Sequence, residues 1–486
     1  MAPPPDDDDH DCGWKAYSKA QEAKLSAQEQ KLVELSEKLA ELERRFVGKK
    51  SERRKGTKLP PPVPPKSDPV AAAQKRLDNA LLRATRLETE NVSVPVPKDQ
   101  ACGCPKCGAT ELRRVGKGKS STVYEYVQPH FRKRVFHRET LSCRCGHIVT
   151  APAPDRIGEK TRYAPSFIAH LIVNKCGDSN PQYRLEKAYR NVGIPMSRST
   201  MCNLLHRGAE ELRPIYAAAL ALVLVAEDVN ADETSMRQQD LERRAFMWSF
   251  VTPELVVYRY APNRSGSTPL EVLGDSQGRL VVDQFTGYNA VTKPGRRLRA
   301  GCLAHARRKL FDQRENSETT EALDLIGDIY RIEAEAKEAG IVGTDAHLKL
   351  RKQRSRPLFA RLLCWGRRHR GTFAPRSAMG RAIRYLLKNF RELGRFLRFA
   401  TIAPDNNVAE ASLRRIALGR GNYLFFGNED AGHNFAVLYT LVASCEKHAV
   451  NAITYLTDVL TRVQKHPASR VAELLPHRWK PPDDTD

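Results

Sequence analysis

The 486-residue chain carries 80 Lys and Arg against 57 Asp and Glu, a net charge of +23, so the expected partner is a polyanion such as nucleic acid. No apolar run reaches the ~18–20 residues of a membrane span, and the Pro- and Asp-rich start lacks the basic and apolar regions of a secretory signal, which argues against a membrane or secreted protein. Eleven cysteines, five of them between 102 and 145, point to a metal site in a reducing compartment rather than a disulfide framework.

Residues 1–13 read as disordered. In 14–48, Leu25, Leu32, Leu39 and Phe46 recur every seven residues, and Gln28, Leu35 and Leu42 fall three later. That a/d seam favours a coiled coil, and with it a homo-oligomer, over a solitary amphipathic helix. Residues 49–98 form a basic and Pro-rich linker (Leu59 to Pro65) followed by a helical stretch. In 99–155, Cys104-x2-Cys107 and Cys143-x-Cys145 supply two thiolate pairs on tight knuckles, suited to one structural, tetrahedral Zn²⁺. Cys102 and His147 are alternative ligands, and the Val, Tyr, Phe and Thr content between the pairs suits zinc-ribbon strands.

Residues 160–215 read as helical. Pro181–Val192 and Ser199–Leu212 flank a turn through Gly193, a pattern shared by helix-turn-helix units and ordinary helical hairpins. A Ser197 N-cap would aim Arg198 and the backbone N–H groups near Ser199 and Thr200 at phosphates. The window Ile215–Ala226 reads as a buried helix or strand, and strand character is expected from Leu224 onward.

Residues 220–440 carry strands Val225–Ala231, Arg244–Val251, Leu255–Ala261, Arg279–Asp283 and Leu298–Cys302, with a short helix Pro269–Leu273. Three consecutive strands followed by strands alternating with helices is the order of a ribonuclease H-like α/β core, in which the first and fourth strands are neighbours. Asp232 and Asp283 sit on those two strands, and Glu233 is the rival to Asp232. Glu410 lies on a helix entered through Asp405, with Asn406 and Arg414 on its face. Three such carboxylates can hold a pair of Mg²⁺ ions for an in-line phosphoryl displacement, although spacing alone also fits a Glu410–Arg414 surface ion pair. A basic helical insertion, about 312–400, precedes that helix and includes Arg351 to Arg354 and Arg367 to Arg370. It and His305, Arg307 and Arg308 read as phosphate contacts. His305 as a general base is the alternative. Residues 441–486 complete the chain as a C-terminal helical domain.

The motifs Phe46-Val-Gly-Lys-Lys-Ser-Glu, the four-cysteine finger, Ala231-Asp-Glu-Thr234, Arg264-Ser-Gly266, Asp283 with Gly287-Tyr288, Cys302-Leu-Ala-His-Ala-Arg-Arg308 and Asp405-Asn-Asn-Val-Ala-Glu410 together resemble the large transposase of the insertion sequence 66 family. The resemblance extends through Ala417-Leu-Gly-Arg420 and Leu474-Leu-Pro-His-Arg-Trp479, over nearly the whole chain. It implies an Asp-Asp-Glu enzyme in which Asp232, rather than Glu233, joins Asp283 and Glu410 on Mg²⁺ or Mn²⁺. It further implies cleavage and strand transfer of double-stranded DNA at terminal inverted repeats, oligomeric action, small companion proteins of the same element, and a place at the bacterial nucleoid. Arg198, Ser199, Thr200, His305, Arg307, Arg308, Asn406 and Arg414 are the candidate DNA contacts. Ala411 stands where that family carries Arg, which removes a positive charge beside the metals. An inactive zinc-finger and helix-turn-helix DNA binder, or a structure-specific nuclease on the same fold, are the competing functions.

Overall fold

The computed structural model describes residues 21–31, 163–240 and 244–481 continuously, together with 74, 77, 131, 140–142, 148–150, 157 and 161. Cys102, Cys104, Cys107, Cys143, Cys145 and His147 lie outside the described residues, as does most of the heptad seam. Contacts divide the chain into Met1–Glu41 with Phe131–Asp486, and Leu42–His130. Of the second unit only residues 74 and 77 are described, both helical and exposed.

In the first unit, residues 21–31 form helix α1, with Leu25 exposed. Strands β1 (Thr140–Ser142) and β2 (Ile148–Thr150) pair antiparallel, with Ser142 opposite Ile148. Helices α2 (Pro165–Ile172), α3 (Gln182–Asn191) and α4 (Arg198–Val225) follow. α3 ends because Gly193 takes a positive φ of 83°, which lets Ile194 N donate to Tyr189 O at 2.8 Å. Ser197 Oγ accepts from Thr200 N at 3.2 Å and starts α4.

Strand character was expected from Leu224, but α4 runs on to Val225 and the first strand of the core begins at Asp228. The reason is periodicity. Leu212, Ile215, Ala219 and Val223 recur at helical spacing and all are fully buried, while Val225 is 75% exposed. That burial outweighs the strand preference of the Val and Leu content.

The sheet comprises β3 (Asp228–Gln238), β4 (Ala245–Val251), β5 (Val256–Ala261), β6 (Arg279–Val281) and β7 (Leu298–Ala300), in the order β5-β4-β3-β6-β7. Pairings β3–β4 and β4–β5 are antiparallel, and β3–β6 and β6–β7 are parallel. The short strand β8 (Phe425–Phe426) joins the far end of β3, at Arg237 and Gln238. Helix α5 (Ser267–Leu273) crosses between β5 and β6.

Three helices bracket the second half of the chain's main core: α11 (Asn407–Tyr423), α12 (Glu429–Lys447) and α13 (Ala452–Arg462). An edge strand exposes unpaired N–H groups, and β5 is capped against this by α12. Thr440 Oγ1 accepts from Tyr258 N at 2.9 Å, and Ser444 Oγ from Val256 N at 3.1 Å. One buried core runs from Ile168 in α2 through α4, the sheet and α12 to Leu460 and Leu475. The segment 160–215 and the C-terminal segment therefore share their interior with the sheet.

The chain between β7 and α11 is helical: α6 (Leu303–Phe311), α7 (Glu318–Glu338), α8 (Asp345–Leu350), α9 (Arg356–Arg368) and α10 (Ala378–Lys388). It has its own core around Leu325, Ile326, Leu362, Trp365, Ile383 and Phe396, which meets the sheet through Val281 and Ala300. Arg351, read as part of a phosphate-facing cluster, is instead 1% exposed. It forms a bidentate pair with Glu333 at 2.8 and 2.6 Å and donates to the carbonyls of Phe396, Phe399 and Ile402.

Candidate active site

Asp232 was expected at a strand end, but β3 continues for six residues past it to Gln238, because Met236 and Gln238 are buried against neighbouring strands. Its level in the sheet follows from register. Asp228 opposes Arg279 and Asn230 opposes Val281, and continuing that parallel ladder by two residues puts Asp283 level with Asp232. Neighbouring strands lie ~4.8 Å apart, and the Asp283 charge is among those that act on Asp232.

The loop after β6 is tied down. Asp283 Oδ1 accepts from Phe285 N at 2.9 Å, and Arg299 Nη2 donates to the carbonyls of Asp283 and Phe285 at 2.6 and 2.8 Å.

Glu410 comes from the first turn of α11, and Asn406 fixes that turn on β3. Asn406 Nδ2 donates to Ala231 O at 2.7 Å, and its Oδ1 accepts from Asn230 Nδ2 at 2.9 Å. Asn406 is 1% exposed. Its expected role as a DNA contact is therefore corrected: its amide is spent on the strand that carries Asp232. Asn406→Ala strands two buried polar groups and is expected to lower stability by about 2–3 kcal/mol and to weaken metal binding, read by thermal denaturation with and without Mn²⁺.

Electrostatics report the convergence. Burial, and then the charges of Glu233, Asp283 and Glu410, push the Asp232 carboxyl up to about 7. Glu233 is also raised, mainly by burial, but it is engaged elsewhere: Arg264 Nε donates to its Oε1 at 2.8 Å and Tyr288 Oη to its Oε2 at 2.7 Å. The Arg264 guanidinium also stacks on Phe285, 4.0 Å from the ring centre. Arg264 and Tyr288 stand in the motifs Arg264-Ser-Gly266 and Gly287-Tyr288, which by themselves assign them no task. A buried carboxylate beside Asp232 needing partners was the available signal.

Around Glu410, His305 Nδ1 lies 3.6 Å from Oε1 and Arg308 Nη2 lies 3.5 Å from Oε2. The surface ion pair with Arg414 does not form; Arg414 is exposed one turn further along α11, and the partners come from α6. Among the described residues, the group of three metal-ligand types whose donor atoms all fall within 4.8 Å of one another is Cys302, His305 and Glu410. Burial pushes the Cys302 thiol up to about 11, so it is a neutral thiol there. Asp232, Asp283 and Glu410 offer hard oxygen donors, which suit Mg²⁺ or Mn²⁺, and the charges of Asp283 and Glu410 reach Asp232, but the donor atoms of these three do not all fall within that 4.8 Å. The raised Asp232 and the buried, unpartnered Oε1 of Glu410 fit a cation that would offset their charge.

Arg307 packs on Phe311, 5.4 Å from the ring centre. Arg198 is exposed and reaches back to Glu186 at 3.4 Å; Ser199 is exposed and Thr200 half-buried, its N–H already taken by Ser197. Asp232, Asp283, Glu410, His305, Arg308 and Asn406 thus belong to one site, and the Arg198–Thr200 turn belongs to the start of α4.

An acid-lined site on the central strands of a mixed sheet, set in a strongly basic chain, suits an enzyme that acts on nucleic acid. Residues 160–434 match the family model "Transposase IS66 family", residues 440–477 the IS66 C-terminal element, and residues 101–146 the zinc-finger binding domain of transposase IS66. The chain belongs to the IS66 family of transposases, DNA-binding proteins with a zinc finger that binds structural Zn²⁺. It is also similar to three proteins of Sinorhizobium fredii (strain NBRC 101917 / NGR234). It is 28% identical to uncharacterized protein y4hP over 81% of this chain and 76% of that one. The figures are 28% for y4jD, over 79% of both chains, and 29% for y4qI, over 77% and 74%. Among the described residues no helix is long and apolar enough to cross a membrane.

Proposed function

We propose that this transposase cleaves DNA at the terminal inverted repeats of its element and transfers the freed 3′ ends to target DNA, using Asp232, Asp283 and Glu410 as ligands for Mg²⁺ or Mn²⁺ on a ribonuclease H-like core. The observation that carries the reading is that Asn406 ties the start of the Glu410 helix to β3 at Ala231, the residue before Asp232, whose carboxyl is raised by burial and by Glu233, Asp283 and Glu410. The β5-β4-β3-β6-β7 order, with β3 beside β6, supports the core assignment. Divalent cations bound there supply Lewis-acid stabilisation of charge in phosphoryl transfer.

The chain's own groups divide the remaining work. Asn406 and the β3–β6 ladder set the spacing of the acids, and Arg299 fixes the loop that carries Asp283. Tyr288 and Arg264 hold Glu233 aside, so Asp232 is the ligand from β3. Arg308 brings a cation to Glu410, where it can also meet a scissile phosphate. Exposed Arg367, Arg370 and Arg414, with Arg307, extend a basic track for the duplex. Cys104, Cys107, Cys143 and Cys145 hold the zinc. The matched finger ends at residue 146, which favours the Cys143–Cys145 pair over His147. The α3–α4 turn, with Arg198, Ser199 and Thr200, joins the finger in binding the repeats, and residues 14–48 join protomers as a coiled coil. Small companion proteins of the same element complete the assembly, which works on DNA in the bacterial cytoplasm.

The test is a strand-joining reaction with labelled duplexes of the element's ends, a supercoiled target and Mg²⁺. Wild type is expected to join, and Asp283→Ala to lose about 4 kcal/mol of transition-state stabilisation, roughly a thousandfold in rate. Cutting without joining would favour a nuclease. Binding without cutting, with companions added, would favour a DNA-binding protein.

A further inference from the structure

Two buried polar atoms beside the proposed acids have no hydrogen-bond partner: His305 Nδ1 and Glu410 Oε1. They face each other at 3.6 Å, about half an ångström beyond an ordinary hydrogen bond. The helices that carry them are joined at their first turns by one side chain. Cys302 is fully buried, and its Sγ accepts the Asn406 N–H, at the entry to α11, at 3.2 Å. Cys302 is itself the residue that precedes α6, so the bond from Asn406 ties the start of one helix to the start of the other. The backbone repeats the link, with Leu303 N donating to Pro404 O at 2.8 Å.

We propose that Cys302 and His305 are positioning residues for Glu410: Cys302 staples the N-termini of α6 and α11 together, and His305 orients the Glu410 carboxylate toward a divalent cation. This rests on the reading of Glu410 as a metal ligand. The spacing explains the pair. Cys302 stands immediately before α6, which puts His305 in that helix's first turn, next to the neighbouring helix that Cys302 holds through the Asn406 N–H. A shift of a few tenths of an ångström turns the His305–Glu410 contact into an Nδ1–H···Oε1 hydrogen bond. With Arg308 on the other oxygen, the carboxylate is then restrained at both ends. Sulfur acts here as an acceptor of the Asn406 N–H, so the cluster of Cys302, His305 and Glu410 supports one ligand and is not a separate metal centre. Partners of this kind raise the affinity of a site by orienting its ligands.

The test is a Mn²⁺ titration of the purified full chain followed by thermal shift, with Mg²⁺-dependent cutting of the element's ends as a second readout. His305→Ala and Cys302→Ala are expected to move the Mn²⁺ midpoint about 10–100-fold higher, with a smaller effect on cutting at saturating Mg²⁺. His305→Gln, whose amide can donate to Glu410, and Cys302→Ser, whose hydroxyl can accept the same Asn406 N–H, are expected to stay within a few-fold of wild type. If Cys302→Ala fails to fold, the two His305 variants decide. A wild-type midpoint in His305→Ala, with the response lost in Asp232→Asn, overturns the positioning pair and leaves the metal site standing. A wild-type midpoint in Asp232→Asn overturns the metal reading, and the positioning pair falls with it.

Discussion

An Asp232→Asn protein, free of divalent cations, is expected to be more stable than wild type above pH 7 and to cut DNA roughly a thousandfold more slowly. Both effects come from the same charge. In the unfolded chain Asp232 ionises near 3.8, and in the folded protein near 7, because it is buried among Glu233, Asp283 and Glu410. A folded-state value above the unfolded one gives stability that is present below about pH 4 and is lost as the pH rises to 7. At 1.36 kcal/mol per pH unit, that interval corresponds to about 4 kcal/mol in the metal-free protein. Asn cannot ionise and removes this slope. A divalent cation binds the ionised form, so stabilisation by Mg²⁺ should grow between pH 5 and 8 in wild type and be absent in Asp232→Asn. Melting temperatures measured across that range, with and without Mg²⁺, check both statements. Parallel pH profiles for the two proteins would contradict them.

Arg351→Ala is expected to destabilise the insertion by about 3–5 kcal/mol. Its guanidinium neutralises Glu333, whose side chain is 16% exposed, and satisfies carbonyls of the Phe396–Ile402 segment. That segment leads into Asp405 and Asn406, so loss of Arg351 also loosens the approach to Glu410. Met at the same position keeps part of the apolar stem but leaves Glu333 with only His347, 3.2 Å away, and it should rescue little. Urea denaturation followed by tryptophan fluorescence reads this, because Trp365 lies in the insertion's core. Unchanged midpoints in both variants would show that the ion pair contributes nothing net, as some buried pairs do.

The local pattern of the core was legible because its strands are short and strongly β-forming: β4, β5, β6 and β7 fall within two residues of their expected bounds. That the strand of Asp232 neighbours the strand leading to Asp283 followed from the strand order. Less legible were features in which burial decides between two local preferences. The run Ile215 to Val225 carries strand-forming residues but buries one helical face, so α4 is longer than expected. Arg351 and Asn406 looked like surface residues because one sits in a basic run and the other beside an exposed helix face. Their partners are more than 40 residues away for Arg351 at Phe396, and at Asn230 and Ala231 for Asn406. Sequence spacing carries no signal of such long-range polar contacts. Glu410 faced the same ambiguity, and His305 and Arg308, contributed by α6, replaced the expected local partner Arg414.

The most direct measurement is the position of Mn²⁺, located by anomalous scattering in crystals of the full chain with its DNA ends. Ions within about 2.0–2.3 Å of carboxylate oxygens from Asp232, Asp283 and Glu410 are the predicted result. Mn²⁺ held by Cys302, His305 and Glu410 without the two aspartates, or no ion on any of the three acids, would contradict the account.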